Sequence, residues 1–317
     1  MRSLLGYVSA SRAALGGQKA FMDATKFLVA NMLRSMAKKL EIEMLYGQMG
    51  YAAVSSASGA DVTISTAEWA PGIWAGAEGM PIEIRDSSGA TSRGEFVVKK
   101  VNMDTRVVTL TSSAQAAGVV ATDVIWHKGA YGNEFPGVHK ILTATGTLFN
   151  IDTSTYNLFK GNEYSASSAA LSFTKLNQAA ARAVEKGLDG KLCAYVNPRA
   201  WANMLSDQAA LRRYDSSFSS AKSENGAKSI LFHSQNGEIE IEPSIYVKEG
   251  YSYLISADDW FRVGSTDMTF KRPGQGEEFF RDLENAAAYE LRLYSDQALF
   301  CHAPGRNVLV KDIVNSA

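Results

Sequence analysis

Three glutamates at alternate positions, Glu238, Glu240 and Glu242, come nearest to a reactive arrangement in this chain. On a strand they share one face, and three carboxylates on one face could bind a cation. No fourth ligand and no ligand-loop pattern accompanies them, so a solvent-facing or subunit-facing strand accounts for them better. The four histidines, His127, His139, His233 and His302, lie far apart, with no two at metal-ligand spacing. A lone histidine is usually structural. Cys193 and Cys301 belong to no C-x-x-C pair and read as small buried hydrophobes in a reducing compartment.

Nucleophile and phosphate patterns fare no better. Ser172-Phe173-Thr174-Lys175 matches S-x-x-K, as do Ser35 to Lys38 and Ser219 to Lys222. Three unrelated matches, without S-D-N or K-T-G, are what chance gives in a serine-rich chain. Asp258-Asp259 and Glu277-Glu278 are adjacent pairs, and adjacent side chains point apart. Gly187-Leu188-Asp189-Gly190-Lys191 lacks P-loop spacing and fits a helix C-cap and turn. Leu211-Arg212-Arg213-Tyr214 sets a basic pair beside an aromatic, a pattern met both in nucleic-acid contacts and, more often, in solvated helix ends. Metalloprotease, dinucleotide and hydrolase-elbow signatures are missing as well. No catalytic, cofactor-binding or metal-ligating residue is assigned, no cofactor is expected, and the chain reads as a non-enzyme.

The 317 residues are 46% apolar with a formal net charge of −1. That is a globular composition with length for one large or two medium cores, and it argues against sequence-specific DNA readout. No apolar run reaches the roughly 20 residues of a membrane span. The first residues, MRSLLGYVSASRAALGG, have too short and broken an apolar stretch for a signal peptide. A soluble cytosolic protein is expected.

The elements that would position any site begin with a helix over Gln18 to Tyr46. Val29, Leu33, Met36, Leu40 and Met44 recur at steps of three and four, widened by Phe21, Leu28 and Met32. Gly16-Gly17 mark its start and Gly47 its stop. Its length, roughly 43 Å, suits a strut. From about Ala60 to Lys128 the period changes to two. Val62 and Ile64, Ile82 and Ile84, Glu95 to Val101, Arg106 to Thr111 and Asp123 to Trp126 read as short strands of a small barrel or sandwich. Leu176 to Lys186 is a helix and Leu192 to Val196 a buried strand. Asn197-Pro198 opens a helix running to about Arg212, asparagine as N-cap and proline in the first turn. Tyr214 to Lys228 reads as a serine-rich mobile loop, and Asn236-Gly237 as a hairpin turn.

The order of these parts resembles the tailed-phage major capsid proteins of the Hong Kong 97 type. Gln18 to Tyr46, ending Leu40-Glu41-Ile42-Glu43-Met44-Leu45-Tyr46-Gly47, looks like the spine helix and its exit. Gly132-Asn133-Glu134-Phe135-Pro136-Gly137-Val138, Ile141-Leu142 and Leu148-Phe149-Asn150-Ile151-Asp152 are similar to stretches common in that family. So is Val196-Asn197-Pro198-Arg199-Ala200-Trp201. Ala286 to Val310 looks like closing peripheral strands.

The resemblance implies an α+β Hong Kong 97-like capsid fold, with a long spine helix, peripheral and axial domains, and an inserted small β-barrel-like domain. The divisions it implies are a short N-terminal segment (1–17), the spine helix and start of the peripheral domain (18–59), the inserted β-rich domain (60–130), a return to the peripheral domain (131–164), the axial domain (165–265) and closing peripheral strands (266–317). It implies a structural subunit of an icosahedral phage head, assembling with itself into pentamers and hexamers around double-stranded DNA held non-specifically. Portal, scaffolding and decoration proteins are its further partners; no membrane is involved. The location implied is the virion capsid, after synthesis in the host cytoplasm. The loop at 214–228 would lie near a capsomer centre, ordered only in the assembled shell.

One departure stands out. The family carries an N-terminal arm and an extended loop before the spine helix, and 17 residues precede it here. Loop-mediated locking and cross-linking are therefore not assigned. Three alternatives remain: an encapsulin-like compartment shell, an α+β enzyme with an unfamiliar site, and a β-rich binding module such as an adhesin.

Overall fold

The computed structural model describes residues 2–6, 18–211, 230–234, 237–271 and 281–315. The serine-rich stretch 214–228, Arg212-Arg213-Tyr214, Ser219 to Lys222, Gly16-Gly17, Asn236 and Glu277-Glu278 lie outside the described residues. The described chain is mixed α+β, as the sequence pattern implies. It divides into two compact units, one from Met1–Met44 with Arg262–Phe300, the other from Leu45–Phe261 with Cys301–Ala317.

Strand β1 (Arg2–Gly6) precedes helix α1 (Gln18–Tyr46), which has the bounds its apolar period predicts. It ends directly before Gly47, as expected. The left-handed residues of the exit are Gln48 (φ 65°) and Gly50 (φ 78°). Glutamine tolerates the conformation because Glu134 grips it: Gln48 N donates to Glu134 Oε2 (3.0 Å) and Gln48 Nε2 to Glu134 O (2.8 Å). Tyr51 Oη donates to Glu134 Oε1 (2.5 Å). The Gly132–Val138 stretch thus fastens the exit of the long helix.

Six strands follow: β2 (Ala52–Ser58), β3 (Asp61–Ile64), β4 (Pro81–Arg85), β5 (Ser92–Asn102), β6 (Val107–Leu110) and β7 (Val124–His127). They close into a barrel in the order β2-β3-β6-β5-β4-β7, every pair antiparallel. Alternation fills it: Val62, Ile64, Ile82, Ile84, Val98, Val108, Leu110 and Ile125 are buried, while Glu95, Val97 and Lys99 between them face out, as a two-residue period requires. The barrel also takes in Ala52–Ser58, whose serines and alanines carry too little apolar pattern to mark a strand. Helix α2 (Pro71–Trp74) lies between β3 and β4.

Helix α3 (Val138–Leu142) and the hairpin of β8 (Thr147–Leu148) with β9 (Ile151–Asp152) lead onward. The hairpin turn places Phe149 (φ 51°) and Asn150 (φ 64°) in the left-handed region, the pattern of a type I′ turn. Then come β10 (Asn162–Ala169), α4 (Phe173–Glu185), β11 (Leu192–Val196), α5 (Pro198–Leu211), β12 (Ile230–Ser234), β13 (Gly237–Pro243) and β14 (Ser252–Ile255). Ser172 Oγ accepts from Lys175 N, so the S-x-x-K match is a helix N-cap. At the other end of α4, Gly187 N donates to Val184 O and Leu188 N to Ala183 O, with Gly187 at φ 87°. This is the paired C-cap that glycine permits, so the glycine-rich segment is a turn.

Asn197 caps α5 as predicted: its Oδ1 accepts from Arg199 N (2.9 Å), and its Nδ2 donates to Val247 O (2.7 Å). The residue is fully buried. Asn197→Ala removes the cap and orphans a buried carbonyl, so it is expected to cost about 2–3 kcal/mol, read as a lowered urea midpoint.

The chain then returns to the first unit through β15 (Trp260–Thr269), β16 (Arg281–Asp282), β17 (Ala288–Arg292) and β18 (Tyr294–Cys301). Strands β1 and β16 flank β17. Met32 of α1 is buried against Leu291 and Leu293, with Leu28, Val29, Leu33, Met36, Met268 and Phe270 packed around them. The part of the stripe from Leu28 to Met36 is therefore a face that the long helix packs against Leu291 and Leu293. Strands β15 and β18 form a two-stranded ribbon.

Strand β19 (Val308–Ile313) closes the second unit. The sequence reading groups these residues with the closing strands of 266–317; they instead lie between β10 and β14, in a six-stranded sheet of order β10-β19-β14-β11-β13-β12. The β10–β19 and β11–β13 pairs are parallel and the others antiparallel. Leu176, Ala179, Ala180 and Ala183 of α4 pack with Leu192, Ala194, Val196, Ile239, Ile241 and Val308 in its core.

Candidate functional site

The candidates read from sequence do not converge. Glu238 pairs with Lys191 (2.9 Å) at the end of the acidic face, and Glu240 is exposed. Among the described residues, no group of three or more His, Cys, Asp or Glu is arranged to hold a metal ion. Asp258 is exposed and Asp259 buried, so the adjacent pair diverges. His302 is exposed, and His127 is buried with its ring 4.2 Å from that of Tyr51. His233 lies on β12, in register with Glu238. Burial pushes the Cys193 thiol up to about 11 and the Cys301 thiol up to about 12. Neither is a thiolate at neutral pH, as a nucleophilic cysteine must be. No helix among the described residues is long and apolar enough to cross a membrane.

The sequence did not flag a buried polar cluster that the fold assembles among the described residues. It lies along the seam between the barrel and the six-stranded sheet. The loop from β13 to β14 carries Lys248 and Glu249, each only 3% exposed. Lys248 Nζ meets Glu68 Oε2 at 2.6 Å, from the 3-10 turn that follows β3. Arg106, at the start of β6, reaches Glu249 with one nitrogen at 3.1 and 3.3 Å from its two oxygens. Arg199 of α5 approaches the same carboxylate at 3.6 Å. Neighbouring residues of opposite charge thus pair with opposite partners on the barrel side. Main-chain bonds run alongside: Gly72 N to Ile245 O, Glu249 N to Trp69 O and Gly250 N to Ala67 O.

Aromatic groups extend the cluster. Tyr251 Oη donates to Glu68 Oε1 (2.8 Å). Tyr46, at the end of α1, donates to Tyr246 O (2.9 Å) and accepts from Lys248 N (3.0 Å), and the Lys248 ammonium sits 4.2 Å from its ring centre. His139 of α3 shares a 2.9 Å hydrogen bond with Tyr253 Oη and meets the Tyr251 ring edge-on at 4.8 Å. Burial drives the Tyr46, Tyr251 and Tyr253 hydroxyls well above the ordinary value. Burial, then the charge of Lys248, lowers His139 to about 4. Burial pushes the Glu68 carboxyl up, but the charge of Lys248 and hydrogen bonds from Lys248 and Tyr251 outweigh it, so it lies below its usual value. Removing one partner of a buried pair of this kind leaves an uncompensated charge in the interior, which is costly. The only sequence hint is the density of tyrosine and charge in Tyr246 to Tyr253.

The described residues form a mixed α+β protein. The sequence matches no family model and no curated relative. Among solved structures it is similar to the Cyanophage A-1(L) capsid asymmetric unit, at 12% identity and a TM-score of 0.43, over 58% of this chain and 61% of that one. It is similar to a virus-like particle from Pyrococcus furiosus, at 12% identity and a TM-score of 0.31, over 55% of this chain and 58% of that one. A third is the holo-SrpI encapsulin complex from Synechococcus elongatus PCC 7942, at 10% identity and a TM-score of 0.32, over 48% of this chain and 53% of that one. The chain thus spans about three-fifths or less of the length of each.

Proposed function

We propose that this protein is the structural subunit of a self-assembling shell, a tailed-phage head of the Hong Kong 97 type. The observation that carries the reading is the β15–β18 ribbon. Residues Arg262 to Ser265 on β15 are all exposed, Val263 among them. A two-stranded ribbon is marginal alone in water, and a neighbouring copy would cover it. The long helix α1 and the order of family-like segments support the same reading. Function is then distributed over many repeated interfaces and needs no active site, consistent with a non-enzymatic role. In this proposal copies form pentamers and hexamers, double-stranded DNA fills the interior, and portal, scaffolding and decoration proteins are further partners in the virion, after synthesis in the host cytoplasm. The barrel is an insertion on the shell fold.

Negative-stain microscopy of the expressed protein tests this. Closed particles, or rings of five or six, are the expected result. A monomer persisting over a wide concentration range would sink the shell reading. Particle contents separate the finer alternatives: double-stranded DNA supports a phage head, and a co-purified protein cargo supports an encapsulin-like compartment.

A further inference from the structure

We propose that the seam between barrel and six-stranded sheet is an acid-operated release, at which the folded barrel comes away from the folded sheet as pH falls. The inference stands on where the titratable groups sit and does not depend on the shell reading. Lys248 is the pivot. Its side chain is 4% exposed, so its ammonium cannot reach water unless the seam opens. Around it are Glu68 from the turn after β3, Tyr46 from the end of α1, and His139 from α3. Tyr251 and Tyr253 face it from the sheet side, with Asp312 of β19 acting on Tyr251. Beside it Glu249 faces Arg106 and Arg199.

Two protonations act in the same direction. His139 is held neutral in the fold, at about 4 against an ordinary 6.5. A depressed value means that its stabilising contribution is complete above 6.5 and is lost as pH falls through that value towards 4. Its proton would place a second buried cation near Lys248. Glu68, also depressed, contributes above its ordinary carboxylate range, and that contribution is lost as pH falls through its folded value. Its neutralisation removes the anion that Lys248 faces.

The two flanking cores are apolar inside, and the barrel's buried histidine is His127 at the end of β7, its ring against Tyr51. The barrel interior is Val62, Ile64, Ile82, Ile84, Val108 and Ile125, and the sheet core is aliphatic. The barrel's own acidic pairs, Glu83–Arg85 and Asp123–Arg93, have arginines 21% and 26% exposed.

Hydrogen exchange of the full chain, read by mass spectrometry and corrected for intrinsic rate, tests the proposal. Near pH 4, exchange over 66–75 and 244–251 is expected to be about tenfold or more faster than at neutral pH, with β4, β5, β7, β11 and β19 still protected. Loss of protection in seam and strands together, or a seam equally protected at both pH values, would overturn it. Lys248→Met removes the trapped cation, so its acid response should shrink by about threefold or more; an undiminished response counts against the proposal. Glu68→Gln fixes the uncharged form, and its seam should exchange fast already at neutral pH. Wild-type protection there would refute the idea whether or not the lysine variant folds.

Discussion

Replacing Glu249 with leucine is expected to lower the unfolding free energy by about 3–5 kcal/mol, the usual cost of stranding a buried charge. Glu249 is 3% exposed, and its carboxylate faces Arg106 at 3.1 Å and Arg199 at 3.6 Å. Arg106 leaves only 18% of its side chain in water, so its guanidinium cannot recover hydration cheaply. Arg199, 49% exposed, can turn outward and should suffer less. This asymmetry makes the prediction specific. In a double-mutant cycle by urea unfolding, Glu249→Leu with Arg106→Met should cost less than the sum of the single changes by about 1–3 kcal/mol. Arg199→Met should couple to Glu249→Leu by less than about 1 kcal/mol. Equal coupling to both arginines, or additivity with Arg106, would mean that the seam is not held by this pair.

Gly50→Ala should be of similar size for a different reason. Gly50 has φ 78°, where a Cβ costs about 1–2 kcal/mol. That Cβ would also lie 2.2 Å from Val124 Cγ1 and 3.2 Å from both Ile125 O and Trp126 Cε2. The strand behind cannot drift away, because Tyr51 N donates to Ile125 O at 2.8 Å. Overpacking adds about 1–3 kcal/mol, for a total of about 2–5 kcal/mol in thermal or urea unfolding. Gly59 is the control. It has φ 57° and nothing within 4 Å of its would-be Cβ, so Gly59→Ala should show the backbone cost alone. Equal losses at the two glycines would contradict the close approach of the helix exit to β7.

Local pattern determined much of this protein. The period of Val29, Leu33 and Met36 marked α1, and the stripe it marked is the face packed on Leu291 and Leu293. Leu192–Val196 and the Asn197 cap were equally legible. Each depends on residues within a few positions of one another, where helical or strand period and capping chemistry act directly.

The rest was decided in three dimensions. Ala52–Ser58 joins the barrel through its neighbours β3 and β7, not through its own weak pattern. Strand β19 lies between β10 and β14 because its both-sides-buried Val308–Val310 needs a central place. Lys248 and Glu68, 180 positions apart, looked like ordinary surface charges in the sequence. Burial turned them into a pair, since a charge enters a protein interior only with a partner and hydrogen bonds. No local spacing encodes which distant charge that partner will be.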